Sequence, residues 1–234
     1  MLSQQIEKLL NEALEDKIAQ KTPGPVVTIS REYGCPGLKL GRSLSASLQK
    51  RVTLIRGSGS WECLDREIIQ QAARIVNLPP EMVEKMATAD APGWLASLVN
   101  SFQPHYQPSD IEVKRAIGWV IRGLGYIGKF VIVGRGGAVI TSDIKNAVHV
   151  KLYAPRQWRT ASVMAMHNTG KEEALKILNE VDRERIYLRD FFSGEVPEQE
   201  HFDIAFNCEK ITETEMQSMI LQIMEDRKII APLS

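Results

Sequence analysis

The stretch Val26-Val-Thr-Ile-Ser-Arg31-Glu-Tyr-Gly34-Cys-Pro-Gly37-Leu-Lys39-Leu-Gly41-Arg42 decides the fold. A β-branched run ends in a glycine-rich turn that opens directly into a helical pattern, the layout of a phosphate-binding loop. Glycines let the backbone approach a polyphosphate, and the first N–H groups of the following helix offer donors to its oxygens. The usual pattern, G-x-x-x-x-G-K-[ST], puts a lysine on the β/γ-phosphates and a hydroxyl on Mg²⁺. Aligned without gaps, Gly37 stands where that lysine belongs and Leu38 where the hydroxyl belongs. The cradle is present with its charge-handling side chains displaced. A cation must replace the lysine, and Lys39, Arg42 and Arg31 are the candidates.

Working outward, the chain reads as strands alternating with helices. Strands are expected at Val26 to Ser30, around Trp61 to Leu64, at Phe130 to Gly134, at Ala147 to Tyr153 and at Asp203 to Cys208. The runs FVIVG, AVHVKLY and DIAFN are apolar nearly throughout, which suits strands covered by helices on both faces of a parallel sheet. Ile6, Leu9, Leu10, Ala13, Leu14 and Ile18 share one face of an N-terminal amphipathic helix within residues 1–22. That face is expected to lie on the domain's own surface, a homodimer contact being the alternative. A Pro-punctuated helical region at 78–128 interrupts the sheet and reads as an insertion within a single domain spanning 23–228.

Composition limits the function. The length of 234 residues accommodates one sizeable α/β domain. With 29 basic and 29 acidic side chains the formal net charge is zero, so no global field favours nucleic acid. No apolar run approaches the roughly 20 residues of a membrane span. The 3 cysteines, Cys35, Cys63 and Cys208, lack metal-type spacing, and the 4 histidines are scattered, so no metal site is expected. The N-terminus has no signal-peptide pattern, and a reducing cytoplasm is the expected location.

Four further segments carry chemistry. Cys63-Leu64-Asp65-Arg66-Glu67 places an acid at a strand end before a helix, and Val131-Ile-Val-Gly134-Arg135-Gly136-Gly137 delivers an arginine at another. Arg156 and Arg159 open a helix after the fourth strand, and Asp182-Arg183-Glu-Arg185-Ile-Tyr187-Leu-Arg189 gathers three arginines. In open α/β sheets ligands bind beyond the carboxyl ends of the strands. All but the Asp182 segment sit at such an end.

This ordered set resembles the cytidylate kinase-like family of P-loop nucleoside monophosphate kinases, over Val26 to about Glu225. ISREYGCPG looks like its divergent phosphate loop, CLDREII like its Leu-Asp substrate motif, VIVGRGG like its Gly-Arg strand end and DRERIYLRDFFSG like its mobile lid, placed at 165–200. The resemblance implies a P-loop three-layer α/β sandwich around a five-stranded parallel sheet, and transfer of the γ-phosphoryl of ATP, with Mg²⁺, to CMP or dCMP. It implies ATP contacts at Arg31, Gly34, Cys35, Pro36, Gly37, Leu38 and Lys39, acceptor contacts at Asp65, Arg66 and Arg135, and catalytic roles for Lys39, Arg183 and Arg185. Well-characterised cytidylate kinases have Asp directly after the Gly-Arg pair, where this chain has Gly136.

Simpler roles stand beside these. Asp65 also suits the N-cap of the next helix. Arg135 follows an apolar strand, where a charge needs an anionic partner. Arg156 and Arg159 are expected to contribute at most one nucleotide contact. Arg183, Arg185 and Arg189 alternate with Asp182, Glu184 and Asp190, which also describes a salt-bridged surface. The kinase reading competes with a nucleotide-binding module that does not catalyse, and with a kinase of a non-nucleotide metabolite.

Overall fold

The computed structural model describes residues 23–55, 57, 59–65, 110–194 and 196–232. The N-terminal helix of 1–22, Arg66 and residues 78–109 of the insertion lie outside the described residues.

Five parallel strands form one sheet in the order β2-β3-β1-β4-β5. They are β1 (Val26–Arg31), β2 (Glu62–Leu64), β3 (Phe130–Val133), β4 (Ala147–Tyr153) and β5 (Ile204–Asn207). Among the described residues six α-helices flank them: α1 (Gly37–Leu48), α2 (Asp110–Ile127), α3 (Gly137–Ile140), α4 (Arg156–His167), α5 (Lys171–Ser193) and α6 (Glu213–Asp226). A 3₁₀ turn, Glu198–His201, precedes β5. The expected five-stranded α/β sandwich is therefore the fold, with strand ends shifted by at most one residue. Gly134, for example, falls outside β3 because its φ of +76° is incompatible with an extended chain.

Register explains the apolar runs. Val27 pairs with both Val131 and Val148, so these three share one face of the sheet. Together with Ile29, Val150 and Leu152 they pack against Leu40, Leu44 and Leu48 of α1 and Met216, Ile220 and Met224 of α6. Thr28, Ile132 and His149 line up on the opposite face, beneath α3. Both faces are covered, so the strands read as nearly continuous hydrophobic sequence.

Helix α2 leads into β3 and buries Val113, Ile117, Val120, Ile121 and Leu124 at helical spacing. α6 starts on a capping box: the Thr212 hydroxyl accepts from the Glu215 N–H while the Glu215 carboxylate accepts from the Thr212 N–H. No described helix is long and apolar enough to cross a membrane.

This topology sets β1 at the centre, flanked by β3 and β4. The chain leaves β1 and β3 toward opposite faces of the sheet, which opens a crevice at their carboxyl ends.

Candidate functional site

The turn that leaves β1 is held from several directions. The Glu32 carboxylate accepts from the Ala154 N–H at 3.1 Å and pairs with Arg159. The Tyr33 N–H donates to Oδ1 of Asp182 at 2.7 Å, and Arg159 bridges to the other Asp182 oxygen at 2.5 Å. Gly34, at φ +90°, lies flat on Arg159, where a Cβ would come within 3.0 Å of a backbone oxygen. The Ser162 hydroxyl donates to the Gly34 carbonyl at 2.8 Å.

Part of the loop's donor capacity is thus consumed internally. Besides Tyr33, the N–H of Cys35 donates to the Glu32 carbonyl and that of Gly37 to the Cys35 carbonyl. Among the described residues, the N–H groups of Gly34, Leu38 and Lys39 donate to nothing. They remain available to an anion, the last two at the N-terminus of the twelve-residue helix α1.

Beside the loop, Asp65 lies between two arginines. Its carboxylate is 3.5 Å from Nη2 of Arg31 and 3.2 Å from Nη2 of Arg135. All three side chains are buried, at 8%, 4% and 7% exposure for Arg31, Asp65 and Arg135. Two guanidinium groups thus share the Asp65 carboxylate in a low-dielectric setting, and the adjoining cavity is lined by both arginines and carboxylates, Glu32, Asp182, Glu184 and Glu198 among them. Arg135 itself has φ +59°, between Gly134 and Gly136 at +76° each. A left-handed arginine is a strained choice, tolerated where the surroundings fix it.

Helix α5 closes the crevice. Nη1 of Arg185 donates to the Arg31 carbonyl at 3.2 Å, and its guanidinium lies 5.1 Å from the Tyr33 ring centre. Arg189 pairs with Glu198, which also meets Lys151 of β4. Burial opposes charge on Arg189 and Glu198 alike, but their mutual hydrogen bonds, with those of Asp190 and Lys151, outweigh it: Arg189 is raised and Glu198 lowered from the ordinary value. These elements enclose a cavity of about 140 Å³ lined by Arg31, Arg135, Arg185 and Arg189 among others. It has room for an anionic head group.

The structure therefore brings Arg31, Asp65, Arg135 and Arg185 together. Lys39 stands apart: its Nζ is 2.8 Å from Glu213 at the start of α6, its side chain is 77% exposed, and it does not line the cavity. Arg183 is exposed on α5 and Arg42 on α1. Of the pair opening α4, Arg159 is buried under the loop while Arg156 is exposed and bonded to Asn179. Glu32, Tyr33, Lys151, Asp182, Arg189 and Glu198 also contribute. In sequence, Asp182 and Arg189 show only as alternating charge, and the others carry no local signal.

Comparison with known proteins agrees with this architecture. Residues 26–210 match the family described as the cytidylate kinase-like family. A crystal structure of an uncharacterised protein from Eubacterium ventriosum superposes with a TM-score of 0.60 at 18% identity, covering 86% of this chain and 98% of that one. Shikimate kinase from Acinetobacter baumannii, solved with shikimate, gives a TM-score of 0.45 at 14% identity over 91% of this chain and 98% of its own. No curated protein sequence matches.

Proposed function

Because the chain belongs to the cytidylate kinase-like family, we propose that it is an ATP-dependent phosphotransferase acting on a small phosphorylated acceptor, a CMP- or dCMP-like nucleoside monophosphate first. The observation that carries this reading is the convergence of Arg31, Arg135 and Arg185 from three separate elements on one small cavity beside the phosphate loop. Arginine forks gathered beside a phosphate loop suit phosphoryl transfer, which depends on stabilising charge on the moving group.

In this reading the N–H groups of Gly34, Leu38 and Lys39 receive phosphate oxygens of ATP. Arg31, which enters the cavity from the last residue of β1, takes over the charge of the missing lysine. Arg135, aligned by Asp65, binds the acceptor phosphate with its planar fork. Arg185 reaches over both and stabilises charge on the group in transit. Mg²⁺ would supply further neutralisation; with no described cluster of three or more His, Cys, Asp or Glu to hold a metal, its ligands would be mainly phosphate and water oxygens. A cytoplasmic site of action is part of the same proposal.

The test is a coupled assay of all common nucleoside monophosphates with Mg-ATP. Turnover of a pyrimidine monophosphate is the expected result; turnover of none removes the acceptor assignment. A second reading, a nucleotide-binding module without catalysis, is favoured by Leu38 at the hydroxyl position and by the inward N–H groups of Cys35 and Gly37. Calorimetric binding of ATP without turnover would select it.

A further inference from the structure

A second carboxylate held between two cations stands on the cavity wall. Lys151 of β4, Glu198 of the 3₁₀ turn and Arg189 of α5 all line the cavity, and Glu198 joins the other two. Its Oε1 lies 2.6 Å from Nζ of Lys151 and its Oε2 lies 2.7 Å from Nη1 of Arg189. Strand order separates this group from the one at Asp65. Asp65 and Arg135 follow β2 and β3, on one side of β1, whereas Lys151 and Glu198 belong to β4 and the turn before β5, on the other.

Register fixes where Lys151 points. It pairs with Ser30, one residue before Arg31, and side chains alternate along a strand, so Lys151 and Ser30 share the face of Thr28. All three line the cavity. Among the described residues Lys151 is the one lysine that does so, while Lys39 is turned away to Glu213.

We propose that Lys151 is a further phosphoryl-binding residue of this site: its ammonium meets oxygens of the transferring group from the β4 side of β1, opposite Arg135, and Glu198 holds that ammonium until the group replaces it. What is transferred rests on the kinase reading above; the binding of a phosphate group does not. A group above β1 is one strand spacing, about 4.8 Å, from β3 and from β4 alike. The Lys151 Nζ also lies 5.6 Å from the Phe202 ring centre, which keeps its stem along the cavity wall. Lys151 and Glu198 are both partly exposed, so their pair adds little to stability and is open to exchange. A phosphoryl group offers the ammonium the same charge-assisted bonds with more negative charge. With three donors on a rotatable stem, Lys151 can follow that group as it moves, which the planar fork of Arg31, paired with Asp65, does less readily.

The test measures binding of inorganic phosphate to the full chain by calorimetry and, for any nucleoside monophosphate that is turned over, kcat and KM. Lys151→Gln and Glu198→Gln break the same ion pair, so a merely structural pair shifts both variants alike. Opposite shifts are expected instead: the Kd for phosphate rises about tenfold or more in Lys151→Gln and falls in Glu198→Gln, where nothing competes for the ammonium. Lys151→Arg is expected to recover part of the loss, since it returns the charge in a different shape. Lys151→Met, which keeps the apolar stem, serves should the glutamine variant fail to fold. Unchanged phosphate affinity in Lys151→Gln, equal losses in both variants, or a wild type that binds no phosphate overturns the inference. Where a monophosphate is turned over, kcat is expected to fall in Lys151→Gln, and an unchanged kcat overturns the role in transfer. If phosphate binds through Lys151 but no monophosphate is turned over, the kinase reading fails while the binding role of the lysine stands.

Discussion

Arg31 occupies the space that a side chain at Gly134 would need: a Cβ there would fall 1.6 Å from Nη1 of Arg31 and 2.8 Å from its Cζ. Gly134 also sits at φ +76°. The glycine after β3 and the arginine that ends β1 are thus one packing unit. Gly134→Ala is expected to lose about 1–3 kcal/mol of stability from the left-handed backbone and the displaced guanidinium, read by urea unfolding. A larger loss in acceptor kcat/KM than in ATP affinity would place the damage at Arg31's cavity end.

Asp65→Ala removes the carboxylate between two buried guanidinium groups. Breaking a buried pair from one side costs about 3–5 kcal/mol. Inorganic phosphate is expected to restore part of that loss, because an anion in the cavity can face the same arginines; about 2.7 kcal/mol corresponds to a ligand at 100 times its Kd. Unfolding in phosphate against sodium chloride of equal ionic strength measures this, and equal curves would argue against an anion site.

Arg135→Ala is expected to weaken acceptor binding and turnover, with Arg135→Lys recovering only part, since an ammonium cannot reproduce two parallel hydrogen bonds. Unchanged acceptor kinetics with a sharply lower melting temperature would make Arg135 a structural ion-pair partner rather than an acceptor ligand.

Asp182→Ala takes away the acceptor for the Tyr33 N–H and one of the two carboxylate partners of Arg159 together. Hydrogen bonds to charged groups contribute roughly 1.5–3 kcal/mol, so a loss of that size and a several-fold rise in the Kd for ATP are expected. Asp182→Asn can still accept from Tyr33 and should retain more ATP affinity than stability.

Stability should fall in two acid steps. Burial holds the His149 imidazole below its ordinary value of 6.5. The unfolded chain therefore binds that proton more readily, and stability declines as pH drops below about 6.5. Glu198 and Asp203 are lowered because their basic partners outweigh burial, and Asp143 because of Arg122. Their contribution is complete above the ordinary carboxylate range and is lost as pH falls through it toward the lower folded values. Urea midpoints between pH 8 and 3 should show both declines; a flat profile down to pH 5 would remove the histidine step.

How much of this was legible in sequence depended on range. The β-branched and apolar runs announce the inner strands β1, β3 and β4 because both faces of the sheet are covered there, and the strand-end rule singles out Asp65 and Arg135. The direction of Lys39 also follows from spacing. Gly37, Leu40, Gly41, Leu44 and Leu48 are buried in α1, and Lys39, two residues past Gly37, lies about 200° around the helix from it. What no local pattern carries is the reach of Asp182 to Tyr33. It depends on how α5 comes to rest against the loop, which is decided by tertiary packing.

Helix α5 has one further consequence. Asp182, Arg185 and Arg189 follow one another at spacings of three and four, so they share a face of one continuous helix. Asp182 grips the loop backbone, Arg185 the carbonyl of Arg31, and Arg189 the Glu198 corner. Ala174, Leu178 and Val181 of the same helix are packed with Tyr33 and Val163. A rigid rod fastened at three points has no way to release them singly: a turn of α5 about its axis moves all three side chains in phase. Opening and closing of the crevice should accordingly behave as one cooperative event, with a single relaxation rate reported from the loop, the cavity and the Glu198 corner.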